Sequence, residues 1–154
     1  MKMRFIFIPL AVLAVALLGS WLTGGGMDWY KTINLPSFTP AGSVIGTVWT
    51  IIFILTAISA IIFWGKAPRD RRFWWVLGFF ILNGLLNIFW SFLFFNRHWL
   101  GAAVWEAGVL DLSVIILIIL IWPVSRLASM LLVPYAAWTT FATYLTFTVW
   151  TLNK

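Results

Sequence analysis

The chain has no cysteine, a single histidine and only four acidic residues among 154. Without cysteine there is neither a disulfide framework nor a thiolate metal site. The lone His98 lies beside Arg97 between two apolar runs. No Ser/His/acid set can be built around it, and an interfacial role is expected in place of metal or haem ligation. A phosphate-cradling glycine loop is also missing. Gly24-Gly25-Gly26 follows an apolar run and reads as a helix break, and Gly42-x-x-x-Gly46 reads as close helix packing. Charge itself is scarce, at 9% of residues, where a soluble globule carries roughly 25%. Hydrophobic residues make up 63% of the chain, so it cannot clothe itself in a polar surface. Its solvent is lipid.

The net charge of +6 does not point to nucleic acid, because the basic residues stand at the ends of apolar segments and form no single patch. Those segments are long enough, at about 20 residues, to cross a bilayer as helices that satisfy their own backbone hydrogen bonds. Five are predicted, at about 5–24, 43–65, 73–96, 100–122 and 127–152, with an outer loop over 25–42. The fold class is therefore an all-α membrane protein, one bundle of five transmembrane helices in a single domain. Short connections predict that helices adjacent in sequence pack as antiparallel neighbours. The basic N-terminus also resembles a secretory signal, but its apolar run continues through Trp21-Leu22 without a good cleavage site, so an uncleaved first span is expected. Seven basic residues (Lys2, Arg4, Lys66, Arg69, Arg71, Arg72, Arg126) fall on the N-terminal side of such a bundle and three (Lys31, Arg97, Lys154) on the other. The positive-inside rule then places the N-terminus in the cytoplasm and the C-terminus outside.

Polar residues inside the spans locate the chemistry. Asn83, Asn87 and Trp90, at i, i+4 and i+7, share one face of the third helix, with Ser91 and Phe94 close by. Two amides in an apolar span need partners from other helices, water or a ligand. For either amide alone, interhelical bonding is the slightly favoured role. The fifth helix carries a matching stripe of Tyr135, Trp138, Ala142 and Leu145, where Ala142 leaves room for something flat. Trp49 enters the second helix from the loop end. Many of the 12 tryptophans belong to an interfacial belt, Trp74, Trp75, Trp99 and Trp122 among them, whereas Trp90 and Trp138 lie deeper. In the fourth helix Glu106 is expected at a solvated end, and the deeper Asp111 is expected to be anchored by an indole, a tyrosine or a threonine.

These residues, in order, resemble the translocator protein family, also called tryptophan-rich sensory proteins and, in animals, the peripheral-type benzodiazepine receptor. The resemblance covers nearly the whole chain. It runs from Trp29-Tyr30 through Leu35-Pro36-Ser37-Phe38-Thr39-Pro40 to Trp49. It continues in Asn83-x-x-x-Asn87-x-x-Trp90-Ser91, Phe94-Phe95 and Leu110-Asp111-Leu112, and ends in Leu132-x-Pro134-Tyr135-x-x-Trp138-x-x-Phe141-Ala142-x-Tyr144-Leu145. Two departures stand out. Pro40-Ala41 occupies a place where the family often has two prolines, and Leu145-Thr146 one where it often has Leu-Asn. The animal cholesterol motif is incomplete around Tyr144, which makes sterol the weaker expectation.

The resemblance implies a bacterial member, commonly homodimeric, in the bacterial cell membrane. It implies binding of porphyrins such as protoporphyrin IX and haem-like tetrapyrroles, and in animals sterols and drug-like ligands. No metal or resident cofactor is implied. Matched by motif, Trp49, Asn83, Asn87, Trp90, Tyr135, Trp138 and Ala142 would line the site, with Tyr30, Pro36 and Pro40 near a lid. A receptor or sensor is the leading expectation. Two alternatives are a light-dependent porphyrin-degrading enzyme, in which Trp49 and Trp138 would be the catalytic indoles, and a tetrapyrrole transporter.

Overall fold

The computed structural model describes residues 3–154 and is all-helical among them. Helix α1 spans Arg4–Tyr30, α2 Gly42–Lys66 and α3 Arg71–Ser91, which continues as a π-helical turn over Phe92–Asn96. Helix α4 spans Leu100–Ile121, a short α5 Arg126–Met130, and α6 Val133–Leu152. Five helices thus form the bundle, with α5 as a wedge before the last. Helices α1, α2, α3 with its π turn, and α4 are long and apolar enough to cross a membrane. At 20 residues α6 is about 30 Å long and matches a hydrocarbon core, although it is rich in threonine. Those hydroxyls are satisfied within the helix: Thr140 donates to the Ala136 carbonyl, Thr146 to Ala142 and Thr148 to Tyr144.

Several boundaries differ from the sequence expectation, each for a local reason. The loop expected over 25–42 begins only after Tyr30, because α1 runs straight through the three glycines. Gly26 is needed there for packing rather than for a break: a Cβ on it would lie 2.2 Å from the Phe95 carbonyl oxygen. The span expected over 127–152 is interrupted before Val133. Pro134 has no N–H to give, and its ring would strike the Met130 carbonyl in a continuous helix. Caps fix the neighbouring starts. The Asp70 carboxylate accepts from the Phe73 N–H at the start of α3, and the Ser125 hydroxyl accepts from Ala128 at the start of α5.

Helix α4 is the central strut. Its buried positions Leu100, Ala103, Ala107, Leu110, Val114, Leu117 and Ile121 alternate spacings of three and four, the seam of a helix with partners on both sides. Those partners are α3 and α6. Helix α1 packs on α2, α3 and the π turn, and α5 wedges between α2 and α4. The Ser59 hydroxyl donates to the Ala128 carbonyl (2.7 Å) and the Ser129 hydroxyl to Ile118 (2.7 Å), closing that wedge. Antiparallel neighbours in sequence pack as expected except for α2 and α3. These two meet through aromatic rings near their turn, where Phe63 stacks on Phe73 at 5.9 Å and Trp64 stands edge-on to it at 5.1 Å. Away from the turn they splay, and cavities open inside the ring of helices.

Candidate functional site

The larger cavity, of about 590 Å³, lies in the half of the bundle nearest the 31–41 loop. That volume is within the range that holds drug-sized ligands. Its α1 wall is made of small residues, Ala16, Gly19, Ser20, Thr23 and Gly24, so the α1 backbone stands close to the space. Opposite are the rings of Trp49 and Phe53 from α2, and of Trp138 and Phe141 from α6. Ala142 lies one turn from Trp138 and leaves the wall recessed between larger side chains.

The π turn shapes the third wall. An i→i+5 turn widens the helix, so the successive Phe94 and Phe95 both line the cavity and both are buried. Trp90 stacks on Phe94 at 5.0 Å between ring centroids, and Tyr30 tilts against Phe95 at 5.6 Å.

The floor is a polar relay. Asn87 donates through its Nδ2 to the Tyr135 hydroxyl, which donates to the Asn83 Oδ1 at 2.9 Å. The Asn83 Nδ2 donates to the Ser113 hydroxyl (2.8 Å), which donates to the Leu110 carbonyl (2.7 Å). Helices α3, α6 and α4 are thus tied together beneath the cavity. Asn83 is only 4% exposed and Tyr135 2%, and both lie under the floor rather than in the wall. Asn83 takes the structural role open to a buried amide, while Asn87 faces the cavity.

The loop forms a lid held to α6. Phe38 stacks on Tyr144 (5.6 Å, 17°) and stands edge-on to Phe141. The Asn34 N–H donates to the Asn153 Oδ1 (2.9 Å), and the Asn153 Nδ2 donates back to the Asn34 carbonyl (2.8 Å). The Pro36 carbonyl accepts from both the N–H and the hydroxyl of Thr39, which makes 36–39 a tight turn. Pro36 and Pro40 therefore shape the lid without lining the cavity. The sequence-expected residues that do line it are Tyr30, Trp49, Asn87, Trp90, Trp138 and Ala142. Phe94, on the same stripe as Trp90, lines it too, whereas the α1 face and Phe95 were not expected there.

This constellation matches a known family: the TspO/MBR model aligns with residues 5–151. The chain belongs to the TspO/MBR family. Among its relatives within the family is a tryptophan-rich protein TspO of Archaeoglobus fulgidus. It is 36% identical over 150 residues, covering 94% of this chain and 93% of the relative. An uncharacterized membrane protein, YtaB, of Bacillus subtilis is 35% identical over 82% of this chain and 81% of its own. The human translocator protein is 29% identical over 84% of this chain and 78% of its own. The protein is accordingly an integral membrane protein of the tryptophan-rich sensory type.

Within this family member the acids of α4 take roles of their own. Asp111 accepts from the hydroxyls of Thr139 (2.6 Å) and Thr140 (3.0 Å), the threonine anchor being one of the partners expected for it. Glu106 corrects the expectation of a solvated end. It is 6% exposed, because α4 turns that face into the bundle beside Ala103 and Ala107, and neither carboxyl oxygen has a partner among the described residues. Trp74, Trp75, Trp99 and Trp122 are exposed on the outside of the bundle, as a belt requires.

Proposed function

We propose that the protein is a membrane receptor or sensor that binds a porphyrin, protoporphyrin IX or a haem-like tetrapyrrole, in the larger cavity. One observation carries the reading. Trp90 and Trp138 line the cavity from different helices, and the indole N–H of each is buried without a hydrogen-bond partner among the described residues. Buried donors are costly unless something accepts from them. A flat aromatic ligand with peripheral acceptor groups meets both needs of this wall, its face stacking on the rings and its edge accepting from the indoles once a rotation of each side chain turns its N–H into the cavity. The recess at Ala142 and the small-residue face of α1 give such a plate width.

Titrating the purified protein with protoporphyrin IX and following tryptophan fluorescence tests the reading. Saturable quenching is expected. Loss of one indole donor with the ring wall kept, in Trp138→Phe, should weaken binding about tenfold, the value of one unreplaced hydrogen bond. Quenching that rises linearly without saturation, or an unchanged affinity in both Trp138→Phe and Trp90→Phe, contradicts it.

A further inference from the structure

A second cavity, of about 270 Å³, lies on the other side of the polar floor, between α1, α2 and α3. Its walls are almost wholly apolar, with Ala11, Val12 and Val15 from α1 facing Ala60 and Phe63 from α2 and Leu77 from α3. It exists because α2 and α3 splay beyond their aromatic turn. What sets it apart from a packing defect is the set of cations beside its lining residues at the α2–α3 turn.

Arg4 stands one turn before the lining residue Ile8 on the same face of α1, and its guanidinium packs against Gly65, next to the lining Trp64. A Cβ on Gly65 would lie 2.5 Å from an Arg4 nitrogen, so the glycine admits that side chain. The Arg4 Nε is buried without a partner among the described residues. From the other side Arg69 lies over Phe73 (4.0 Å) and Trp64 (5.1 Å), both of which line the cavity, and its Nη1 donates to the Trp64 and Ala67 carbonyls, leaving its Nε and Nη2 for a further acceptor. Lys66, Arg71 and Arg72 flank the same turn. The one acid there, Asp70, accepts from the Phe73 N–H, and the ion pair seen among the described residues, Lys31–Asp28, stands at the opposite end of α1.

We propose that this cavity seats one acyl chain of an anionic phospholipid, with its phosphate held between Arg4 and Arg69. Charge complementarity selects the occupant. Two guanidinium groups packed against Gly65, Trp64 and Phe73 at one end of an apolar slot match a phosphodiester on a hydrocarbon tail. A sterol has no phosphate to offer them, and a phosphatidylcholine phosphate comes with its own ammonium, so neither matches two adjacent cations as an anionic lipid does. The site is separate from the porphyrin cavity, and Phe53 and Asn87 border both, so an occupied tail braces the floor from beneath.

Native mass spectrometry of the detergent-solubilised protein, mixed with equal amounts of phosphatidylglycerol, phosphatidylcholine and a sterol, tests this. One phosphatidylglycerol should be retained in about tenfold preference to the neutral lipids, a preference worth one charge-assisted contact. The preference should fall to parity in the double variant Arg4→Gln/Arg69→Gln. Retention of every lipid should fall in Ala60→Phe, which fills the slot. Should that variant not fold, Ala11→Phe narrows the same slot from the lipid-facing helix. Equal retention of phosphatidylcholine or sterol by the parent, or an undiminished preference in the double variant, overturns the proposal.

Discussion

Replacing Tyr135 by phenylalanine removes one oxygen atom and keeps the ring, so it isolates the relay under the cavity from the packing around it. The hydroxyl donates to Asn83 and accepts from Asn87. Its loss strands a donor on Asn87 and an acceptor on Asn83, and the two do not cost the same. Asn87 faces the cavity, where water can replace the tyrosine. Asn83 is 4% exposed, and its Oδ1 has no other partner among the described residues. An unsatisfied buried acceptor costs about 1–3 kcal/mol, and interhelical hydrogen bonds in membrane bundles average about 0.6 with a ceiling near 1.7 kcal/mol. The membrane figure is the better guide here, which leaves about 0.6–1.7 kcal/mol. For a chain of this size that is a fall in Tm of about 1–7 °C. Thermal unfolding in mild detergent, followed by circular dichroism, measures it. A second substitution sharpens the test. Asn83→Leu in the Tyr135→Phe background deletes the stranded acceptor, while Ser113 keeps its bond to the Leu110 carbonyl. The double variant should then be no less stable than Tyr135→Phe. A Tyr135→Phe protein melting within about 1 °C of the parent, below the range this cost implies, or a double variant with additive losses, refutes the account of the floor.

Other outcomes follow from the same geometry. Gly26→Ala drives a Cβ into the Phe95 backbone and should cost about 1–3 kcal/mol, whereas Gly24→Ala meets nothing within 4 Å and should be neutral or stabilising by up to about 1 kcal/mol in a chemical melt. Asp111→Leu removes the acceptor for Thr139 and Thr140 and should lower stability by about 1 kcal/mol, read by the same melt. Asn153→Ala releases the lid from α6, so proteolysis or hydrogen exchange across 31–41 should quicken while the Tm holds. With the N-terminus in the cytoplasm, as the basic residues suggest, a green fluorescent protein fused after Lys154 should stay dark in a bacterial host; a bright fusion reverses the orientation.

The spans were legible because a bilayer leaves the backbone few options, and the apolar runs of α1 to α4 announce themselves. The paired stripes were legible too, since amides and deep tryptophans are conspicuous in an apolar helix. What stayed hidden depended on contacts between elements. Three consecutive glycines read locally as a helix break, yet Gly26 is where α1 meets the π turn, and only the partner shows that. Asn83 and Asn87 look alike in sequence. Their separation into floor and wall is set by where Tyr135 and Ser113 arrive from α6 and α4. The π turn carries no distinct composition, so Phe94 could be placed on the inward stripe of α3 while its neighbour Phe95 could not. Glu106 was misjudged because distance from a helix end measures depth, not which face is turned inward.

The central claim is that the larger cavity is the porphyrin site, and blocking it is the most direct measurement. Ala142→Trp fills the recess between the α6 rings, and the control Trp105→Phe changes an indole that is 80% exposed on the bundle exterior. Protoporphyrin IX affinity should be abolished in Ala142→Trp and unchanged in Trp105→Phe, with both proteins folded by circular dichroism. Undiminished, saturable binding to a folded Ala142→Trp protein would place the ligand elsewhere and contradict the account.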